Sequence, residues 1–329
     1  MMRVAGIDPG TYSFDLFGME NDRRIIVDLA ISSEEIFQNP FVLIEKLEEL
    51  MPLDIIVGPS GYGIPLMNIE NLTEKKIGDM IPLDTQVSVN EGIKNVLWEM
   101  KKRKMPVWFT PGVIHLKTVP KYRKWGRMDM GTADKVCCVA LGIKNQSEQL
   151  NLPYEKTSFI YVEIGYGFTA VLGVINGRIV DGIGGTNGSL GFIACGGMDA
   201  ELAIRLKNPT QDVVFKGGVR DFVGQGIEPK NLKSHPEAMT LLAESVEKDV
   251  ASMSVAVPHP KQIILSGRLI GDAFIREELR NRLQKYSQVV RVNKPSKVAK
   301  EAACGAYIIG EGLLDGKYRM ITEIMGIRD

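Results

Sequence analysis

The sequence is poor in the residues that build disulfide frameworks and metal knuckles. Its 329 residues include only four cysteines and three histidines. No two cysteines have the CxxC spacing of a redox motif or zinc knuckle, and His115, His235 and His259 are far apart, with no HExxH motif. We therefore expect reduced and mostly buried thiols, as in a cytoplasmic protein. The cysteines are Cys137, Cys138, Cys195 and Cys304.

Long apolar runs and an excess of one charge are lacking as well. No stretch of about 18 apolar residues could span a membrane, and residues 1–8 lack the regions of a signal peptide. We therefore expect no membrane partner and a cytoplasmic location. The 40 basic residues equal the 40 acidic ones, so no overall positive field favours nucleic acid. The length favours two domains over one.

Hydrophobic periodicity predicts an α/β protein whose two halves repeat one order of elements. That order is three strands, then a helix, a strand, a helix, a strand and a helix. In the first half the strands are 3–8, 13–19, 23–31, 53–57 and 106–109, with helices after Asn39-Pro40, at 90–104 and at 132–143. In the second half they are 158–163, 168–175, 178–183, 262–266 and 289–292, with helices from Met198, at 236–255, 272–286 and 297–312. The polar stretch 145–154 suggests a boundary that separates domains 1–150 and 151–329.

Each half has a glycine-rich turn between its first two strands. Glycine allows a tight turn, and convergent backbone N–H groups can bind phosphate oxygens. An acidic residue beside such a turn can hold Mg²⁺, a role that suits Asp8. A third glycine turn follows the strand at 262–266, where ligands of α/β sheets usually bind. The turns are Asp8-Pro9-Gly10-Thr11, Glu163-Ile164-Gly165-Tyr166-Gly167-Phe168-Thr169 and Ser266-Gly267 to Gly271.

The order of these turns resembles the phosphate-1, phosphate-2 and adenosine motifs of the acetate kinase, sugar kinase, Hsp70 and actin superfamily. Residues 161–192 and 302–306 look most like butyrate kinase, and the whole chain is similar to an archaeal family of predicted butyrate kinases. The resemblance implies a duplicated ribonuclease-H-like fold, the actin-like ATPase fold, with a nucleotide cleft between two lobes.

The resemblance also implies the cofactors, the site residues and the activity. ATP and Mg²⁺ would bind the phosphate turns and the adenosine turn, with Asp8 at the metal. Phosphoryl transfer would go to a small-molecule acceptor, either a short-chain carboxylate or a hydroxyl compound. The alternatives are a non-catalytic nucleotide-binding switch and a degenerate kinase with weak ATPase activity. Homodimers are common in the family. The implied nucleotide ligands are Gly10, Thr11, Gly165, Gly167, Thr169, Gly267 and Gly271.

The sequence departs from acetate and butyrate kinases at two cationic positions. Those enzymes have a histidine just before the phosphate-2 glycines, where this chain has Glu163. They also have an Arg-Ser-Gly segment further on, and the nearest segment here, 194–197, lacks the arginine. Such cations stabilise a transferring phosphoryl group. Glu163 therefore either binds Mg²⁺ or points away as an ordinary strand residue.

Two aspartates near the start of the helix at 132–143 are candidate catalytic bases. The segment Gly131-Thr132-Ala133-Asp134-Lys135 resembles the Gly-Ala-Asp-Arg of type III pantothenate kinases, in which the aspartate acts as base toward a hydroxyl. The alternative is that Asp134 only stabilises the first turn of the helix. Asp129 is the second candidate.

A cationic loop precedes these aspartates. Five basic residues lie between 117 and 127, interleaved with Tyr122 and Trp125. Arg123 and Arg127 are candidates for binding an anionic substrate or the γ-phosphate. The alternatives are a solvated loop and a contact with single-stranded nucleic acid, which such interleaving also permits.

Overall fold

The structure is a computed structural model that describes residues 2–10, 12–58, 60–81, 88–207, 209–224 and 226–328, without the side chains of 88–91 and 211. Its contacts divide the chain into two compact units. The first comprises Met1–Lys117, Thr132–Asn145 and Asn293–Asp329, and the second comprises Thr118–Gly131 and Gln146–Val292. One crossing between the units lies near the sequence boundary at residue 150. The chain passes between the units at three further points, so residues 118–131 belong to the second unit and the C-terminal residues belong to the first.

Each unit is built on one sheet. The first sheet has the order β3-β2-β1-β4-β6-β5, with strands β1 Arg3–Pro9, β2 Ser13–Glu20, β3 Arg24–Ser32, β4 Ile55–Val57, β5 Met67–Asn68 and β6 Val107–Phe109. The second has the order β11-β10-β7-β8-β9, with strands β7 Phe159–Ile164, β8 Thr169–Ile175, β9 Arg178–Ile183, β10 Gln262–Ser266 and β11 Val289–Arg291.

The two sheets share one topology, as the repeated order of elements predicts. In each, three consecutive strands pair antiparallel and the next strands add in parallel beside the first of the three. The first sheet adds the short antiparallel strand β5, which the sequence analysis missed. Strands β4 and β10 are buried throughout because parallel strands of this kind have both faces covered.

Twelve helices accompany the sheets in the described part of the chain. They are α1 Ser33–Gln38, α2 Phe41–Glu49, α3 Glu74–Met80, α4 Ser88–Lys102, α5 Lys121–Lys124, α6 Ala133–Leu150, α7 Ala200–Arg205, α8 Val219–Val223, α9 Pro236–Ala256, α10 Ala273–Leu283, α11 Glu301–Leu313 and α12 Arg319–Ile324. Local signals set several of their ends. Asp272, for example, caps α10 by accepting hydrogen bonds from the backbone N–H groups of Phe274 and Ile275.

Helix α6 is longer than its predicted range, 132–143. The polar residues beyond Ile143 suggested a linker, yet Asn145 and Gln146 are buried and hydrogen-bonded. The Asn145 side chain donates to the carbonyl of Asn293 and accepts from its N–H, and the Gln146 side chain accepts from the N–H of Ser158. Specific partners therefore let polar side chains lie inside the protein, and the helix continues to Leu150.

Helix α11 is buried from Glu301 to Gly312 and packs on the first sheet. Glycines make this close packing possible. A β-carbon on Gly6 of β1 would lie 2.3 Å from the carbonyl oxygen of Ala303, and one on Gly305 would lie 1.8 Å from that of Cys137 in α6. The C-terminal residues belong to the first unit through these contacts.

The four cysteines are free. Cys137, Cys138 and Cys304 are buried and Cys195 is half-buried. Burial raises the pKa of the Cys304 thiol to about 12, which keeps it protonated. In the described ranges no helix is both long and apolar enough to cross a membrane.

Candidate functional site

The glycine turns of the two units are the same turn built twice. In the first unit the N–H of Gly10 donates to the carbonyl of Ser13 at 3.0 Å, and in the second the N–H of Gly165 donates to that of Phe168 at 2.9 Å. Asp8 and Glu163 each stand two residues before the turn glycine. The two predicted metal ligands thus occupy equivalent positions of the duplicated hairpins. Thr11, predicted to bind phosphate, lies outside the described residues.

Asp8 belongs to a buried ionic cluster in the first unit. It pairs with Asp15 across the β1–β2 hairpin, and the Lys300 ammonium lies 2.9 Å from Asp8 Oδ2 and 3.2 Å from Asp15 Oδ2. Ser13 Oγ also donates to Asp15 at 2.7 Å. Burial raises the pKa of Asp8; Lys300 opposes this shift, whereas the charges of Asp134 and Asp15 add to it. The cluster therefore holds more negative charge than Lys300 alone neutralises.

Gly10 lies directly against the Lys300 side chain. A β-carbon on Gly10 would be 2.2 Å from Lys300 Nζ, so the turn has no room for a side chain while the ammonium occupies its position. The carbonyl oxygen of Gly10 accepts a hydrogen bond from Ser33 Oγ at 2.8 Å. The turn predicted to bind phosphate is thus fixed by α1 on one side and carries a cation on the other.

Asp134 lies in the first turn of α6 and joins the same cluster. Its carboxylate accepts hydrogen bonds from Thr132 Oγ1 and Lys135 Nζ. Burial opposes ionisation, but Lys135, Thr132 and Lys300 together lower the pKa of Asp134. It is therefore a carboxylate at neutral pH, and its charge acts on Asp8. The structure brings these two predicted residues together within the first unit.

Sequence reasoning missed Asp15 and Lys300. Asp15 could have been found from the hairpin register, because antiparallel pairing of β1 with β2 places it opposite Asp8. Lys300 has no local signal, since it stands 292 residues away at the N-terminus of α11.

Asp28 on β3 fixes the loop that carries Lys300. Its carboxylate accepts hydrogen bonds from Ser296 Oγ at 2.6 Å and from the N–H groups of Lys297 and Ala299 at 2.8 Å each. Burial, the largest single effect, opposes ionisation, but these hydrogen bonds together outweigh it and lower the pKa of Asp28 below its ordinary value. The backbone N–H of Lys300 itself donates to Asp15 Oδ1 at 3.0 Å. The position of Lys300 is therefore determined by the loop as well as by its own ion pairs.

The second unit holds the other predicted phosphate residues around the β7–β8 turn. Thr169 is buried, and its hydroxyl has no hydrogen-bond partner among the described residues. A β-carbon on Gly165 would lie 3.2 Å from a carboxylate oxygen of Glu163, so the Glu163 carboxylate lies beside the turn. The carbonyl of Gly167 accepts hydrogen bonds from the N–H groups of 193 and 194, at 3.3 and 3.0 Å.

The predicted adenosine turn adjoins this hairpin within the second unit. Gly267 has a φ of +96°, and a β-carbon there would lie 2.4 Å from the carbonyl oxygen of Ile164 at the end of β7. Gly271, by contrast, is exposed and faces open space. Ser266, just before the turn, is buried and its hydroxyl also lacks a partner in the part of the chain that the structure describes.

Asp129 belongs to the second unit, unlike Asp134. It is buried, and its carboxylate accepts from the N–H of Gly131 at 2.8 Å and from both the N–H and the hydroxyl of Thr186, at 3.2 and 3.1 Å. A β-carbon on Gly184 would lie 2.1 Å from Asp129 Oδ1. These contacts tie the 118–131 segment to the glycine-rich loop after β9. The predicted catalytic role of Asp129 stays a prediction.

The two predicted substrate arginines differ in their surroundings. Arg123 in α5 donates to the carbonyl of Val180 at 2.8 Å, and its Nε lies 3.6 Å from Asp181 Oδ2, so it attaches the cationic loop to β9. Arg127 is exposed. Trp125, 88% exposed, packs little of its ring against the protein. The loop thus presents an aromatic ring and positive charge from a fixed base.

No group of three or more histidine, cysteine, aspartate or glutamate side chains within the described ranges has the geometry to hold a metal ion. Mg²⁺ is usually bound by one or two carboxylates together with water and substrate phosphates, so it needs no such group. The unneutralised negative charge around Asp8 and Asp134 fits a cation of this kind. The unpartnered hydroxyl of Thr169 beside a glycine turn fits a phosphate ligand.

Solved structures that are similar to this chain include small-molecule kinases. A propionate kinase from Francisella tularensis subsp. tularensis SCHU S4 has a TM-score of 0.64 at 14% identity, covering 93% of this chain and 99% of that chain. An acetate kinase from Porphyromonas gingivalis has a TM-score of 0.63 at 14% identity, covering 93% and 98%. A ROK family glucokinase from Streptomyces griseus, in complex with glucose and AMPPNP, has a TM-score of 0.52 at 12% identity, covering 94% and 99%.

The chain therefore has the duplicated actin-like ATPase fold of the acetate kinase and sugar kinase superfamily. It belongs to the family described as "Protein of unknown function (DUF1464)", whose pattern it matches over residues 6–329. No curated protein matches the sequence. Identities of 12–14% to the solved structures establish the fold alone.

Proposed function

We propose that the protein is an ATP-dependent small-molecule kinase that transfers a phosphoryl group from Mg²⁺-ATP to a hydroxyl compound or a short-chain carboxylate. The observation that carries this proposal is the ionic cluster beside the Gly10 turn, in which the half-buried Asp134 lies near enough for its charge to act on the buried Asp8. One carboxylate would bind the metal and the other would act on the acceptor. Catalysis of phosphoryl transfer consists mainly of such positioning and charge stabilisation.

The nucleotide assignment is supported by both glycine turns. Gly10 in the first unit, and Gly165, Gly167 and Thr169 in the second, are the residues we propose for the phosphates; Gly267 and Gly271 are proposed for adenosine. The Thr169 hydroxyl would gain in a bound phosphate the partner it lacks among described residues. The glucokinase of the same fold was solved with AMPPNP, a nucleotide analogue.

Asp8 is the proposed ligand of Mg²⁺, and Glu163, its equivalent in the second hairpin, is proposed as a further one. Bound magnesium would neutralise charge that develops on the phosphates. Asp8 is suited to bind the metal because burial and the neighbouring charges of Asp134 and Asp15 raise its pKa. A bound divalent cation would offset the cost of burial and the repulsion between these charges.

The role of Asp134 separates the two classes of acceptor. A hydroxyl must lose its proton as it attacks phosphorus, and an ionised aspartate within reach can accept that proton. A carboxylate acceptor is already ionised at neutral pH and needs no base. Asp134, an ionised carboxylate held by Thr132 Oγ1 and Lys135 Nζ, is therefore our ground for proposing a hydroxyl acceptor over the butyrate kinase-like alternative. Arg123 and Arg127 are proposed to bind an anionic group of that acceptor, and Asp129 is the alternative base.

Calorimetry and an acceptor screen test the proposal. Mg²⁺-AMPPNP is titrated into the wild type, and Mg²⁺-ATP turnover is then followed with short-chain acids and with pantothenate-like alcohols. We expect saturable binding and turnover that depends on one acceptor class. Absence of binding at millimolar nucleotide would exclude the kinase. With an alcohol, Asp134→Asn should abolish most turnover, whereas with an acid it should not.

A nucleotide-binding protein without an acceptor is the second candidate. It is favoured by the 194–197 segment, in which the N–H of Ala194 donates to the carbonyl of Gly167 and which lacks the arginine found in acetate and butyrate kinases. This candidate predicts nucleotide binding with slow ATP hydrolysis that no acceptor accelerates. A homodimer and a cytoplasmic location, suggested by the sequence, belong to both candidates and stay predictions.

A further inference from the structure

We propose that Lys300 is a positioning residue that takes the place of a divalent cation at Asp8 and competes with that cation for the Asp8 carboxylate. The inference rests on the proposed metal role of Asp8. It assigns to Lys300 the control of when the first unit accepts a metal ion.

Among the residues that the structure describes, the Lys300 ammonium group contacts the β1–β2 hairpin. Lys300 Nζ lies 2.9 Å from Asp8 Oδ2, 3.2 Å from Asp15 Oδ2 and 3.4 Å from the carbonyl oxygen of Ser13. A lysine ammonium has three donors and no acceptor. All three donors are thus directed at the end of the hairpin, where a metal ion would have to approach Asp8.

The carboxylates around Lys300 need its positive charge when no metal is bound. Asp8 and Asp15 face each other directly across the hairpin, and Asp134 is near enough for its charge to act on both Asp8 and Lys300. Like charges in a buried site repel strongly unless a cation lies between them. Lys300 supplies one positive charge at Asp8 and Asp15, and Lys135 supplies another at Asp134, so two cations face three carboxylates. Mg²⁺ in the place of Lys300 would supply two charges.

Hydrogen bonds to the loop that precedes Lys300 hold this residue in place. The Asp28 carboxylate holds the 296–299 loop through the hydroxyl of Ser296 and three backbone N–H groups. The ammonium is consequently fixed from the loop as well as from the hairpin. A metal ion that binds Asp8 must therefore displace the Lys300 ammonium or bind against its positive charge. The first unit should consequently bind metal weakly until a nucleotide supplies phosphate oxygens as further ligands.

Metal binding without nucleotide tests the proposal. Mn²⁺ is titrated into the full-length protein, and the bound fraction is read from its electron paramagnetic resonance signal. We expect Lys300→Met to bind Mn²⁺ at least about tenfold more tightly than the wild type, because a repelling charge a few ångströms away is removed. Asp8→Asn in the same background should abolish the gain. Lys297→Met is the matched control, since its side chain is exposed on the same loop, and it should bind as the wild type does.

A purely structural ion pair gives the opposite result, which is loss of thermal stability with no gain in Mn²⁺ affinity. That outcome would overturn the proposal. If Lys300→Met does not fold, Lys300→Gln removes the charge but keeps a polar side chain at the same place, and the same gain is expected from it. Failure of the kinase proposal is distinguishable because Mn²⁺ binding needs neither nucleotide nor acceptor, whereas Mg²⁺-AMPPNP binding by the wild type tests that proposal separately.

Discussion

Gly267 and Ile164 approach each other so closely that a β-carbon on the glycine would lie 2.4 Å from the carbonyl oxygen of Ile164. Gly267 also has a φ of +96°, a conformation that side chains disfavour. The contact joins the end of β10 to the end of β7, and through it the predicted adenosine turn lies beside the predicted phosphate turn of the same unit.

Gly267→Ala should therefore destabilise the protein by roughly 1–3 kcal/mol or more, because the added carbon strains the backbone and displaces β7. Gly271→Ala is the matched control: a β-carbon there would have no atom within 4 Å, and the substitution should change stability by less than about 0.5 kcal/mol. Thermal unfolding followed by circular dichroism measures both. Equal midpoints for the two variants would contradict the close packing of Gly267 on Ile164.

Thr169→Val should keep or raise stability while it weakens nucleotide binding. The substitution removes a hydroxyl that is buried without a hydrogen-bond partner among the described residues. The folded protein then no longer carries the free-energy cost of burying that group. A phosphate that accepts from this hydroxyl would lose about 0.5–1.5 kcal/mol, or roughly three- to tenfold in affinity. Calorimetry with Mg²⁺-AMPPNP measures the affinity, and thermal unfolding measures the stability.

Thr157→Val is the control for that substitution. Thr157 is also buried, but its hydroxyl donates to the carbonyl of Tyr154 at 2.7 Å. Its removal should cost about 1 kcal/mol of stability and leave nucleotide affinity unchanged. If Thr169→Val destabilises the protein as Thr157→Val does, the Thr169 hydroxyl has a structural partner and the phosphate assignment loses its support.

Much of the fold could be predicted from local signals. The bounds of β9 and β10 agree with the sequence prediction residue for residue, because Asn176-Gly177 forms the hairpin turn before β9 and Gly267 ends β10. Both Asn176 and Gly177 have the positive φ that such a turn requires. The alternation of elements then gives the duplicated topology, since three antiparallel strands followed by helix-linked parallel strands leave few other arrangements.

The candidate site was less predictable because its partners are distant in sequence. Asp8 is identified by its position beside a glycine turn and Asp134 by a motif resemblance. Lys300, by contrast, reaches Asp8 because α11 packs on β1. That packing depends on Gly6 and Gly305, which have no side chain. A glycine at these positions does not by itself indicate a close contact in the sequence. Close approach between remote backbones has no periodic signal, so neither the ion pair nor the membership of α11 in the first unit follows from pattern.

Asp129→Asn and Asp134→Asn should separate structure from chemistry. The Asp129 carboxylate accepts three hydrogen bonds in its own unit, so Asp129→Asn should lower stability by about 1.5–3 kcal/mol. Asp134→Asn should change stability less, because it removes a charge that repels Asp8. With a hydroxyl acceptor it should lower kcat by roughly 100- to 10,000-fold. If a fully folded Asp129→Asn loses kcat while Asp134→Asn stays active, Asp129 is the catalytic base and Asp134 is not.

The pKa of Asp28 predicts how acid weakens the first unit. Because the folded-state pKa is lowered by hydrogen bonds from the 296–299 loop, the ionised form stabilises the fold. This contribution is complete above the ordinary aspartate value of about 3.9 and is lost as the pH falls through the lower folded-state value. Asp28→Asn should therefore be less stable than the wild type at pH 7, and the difference should shrink below about pH 4.

Thermal midpoints of both proteins between pH 7 and pH 3 measure this convergence. Glu45→Gln, on the exposed side of α2, is the control and should follow the wild type over the whole range. A constant difference between Asp28→Asn and the wild type would show that the Asp28 carboxylate does not need its charge to hold the loop. Lys300 would then owe its position to the Asp8 and Asp15 ion pairs, and Asp28→Asn should leave Mn²⁺ affinity unchanged.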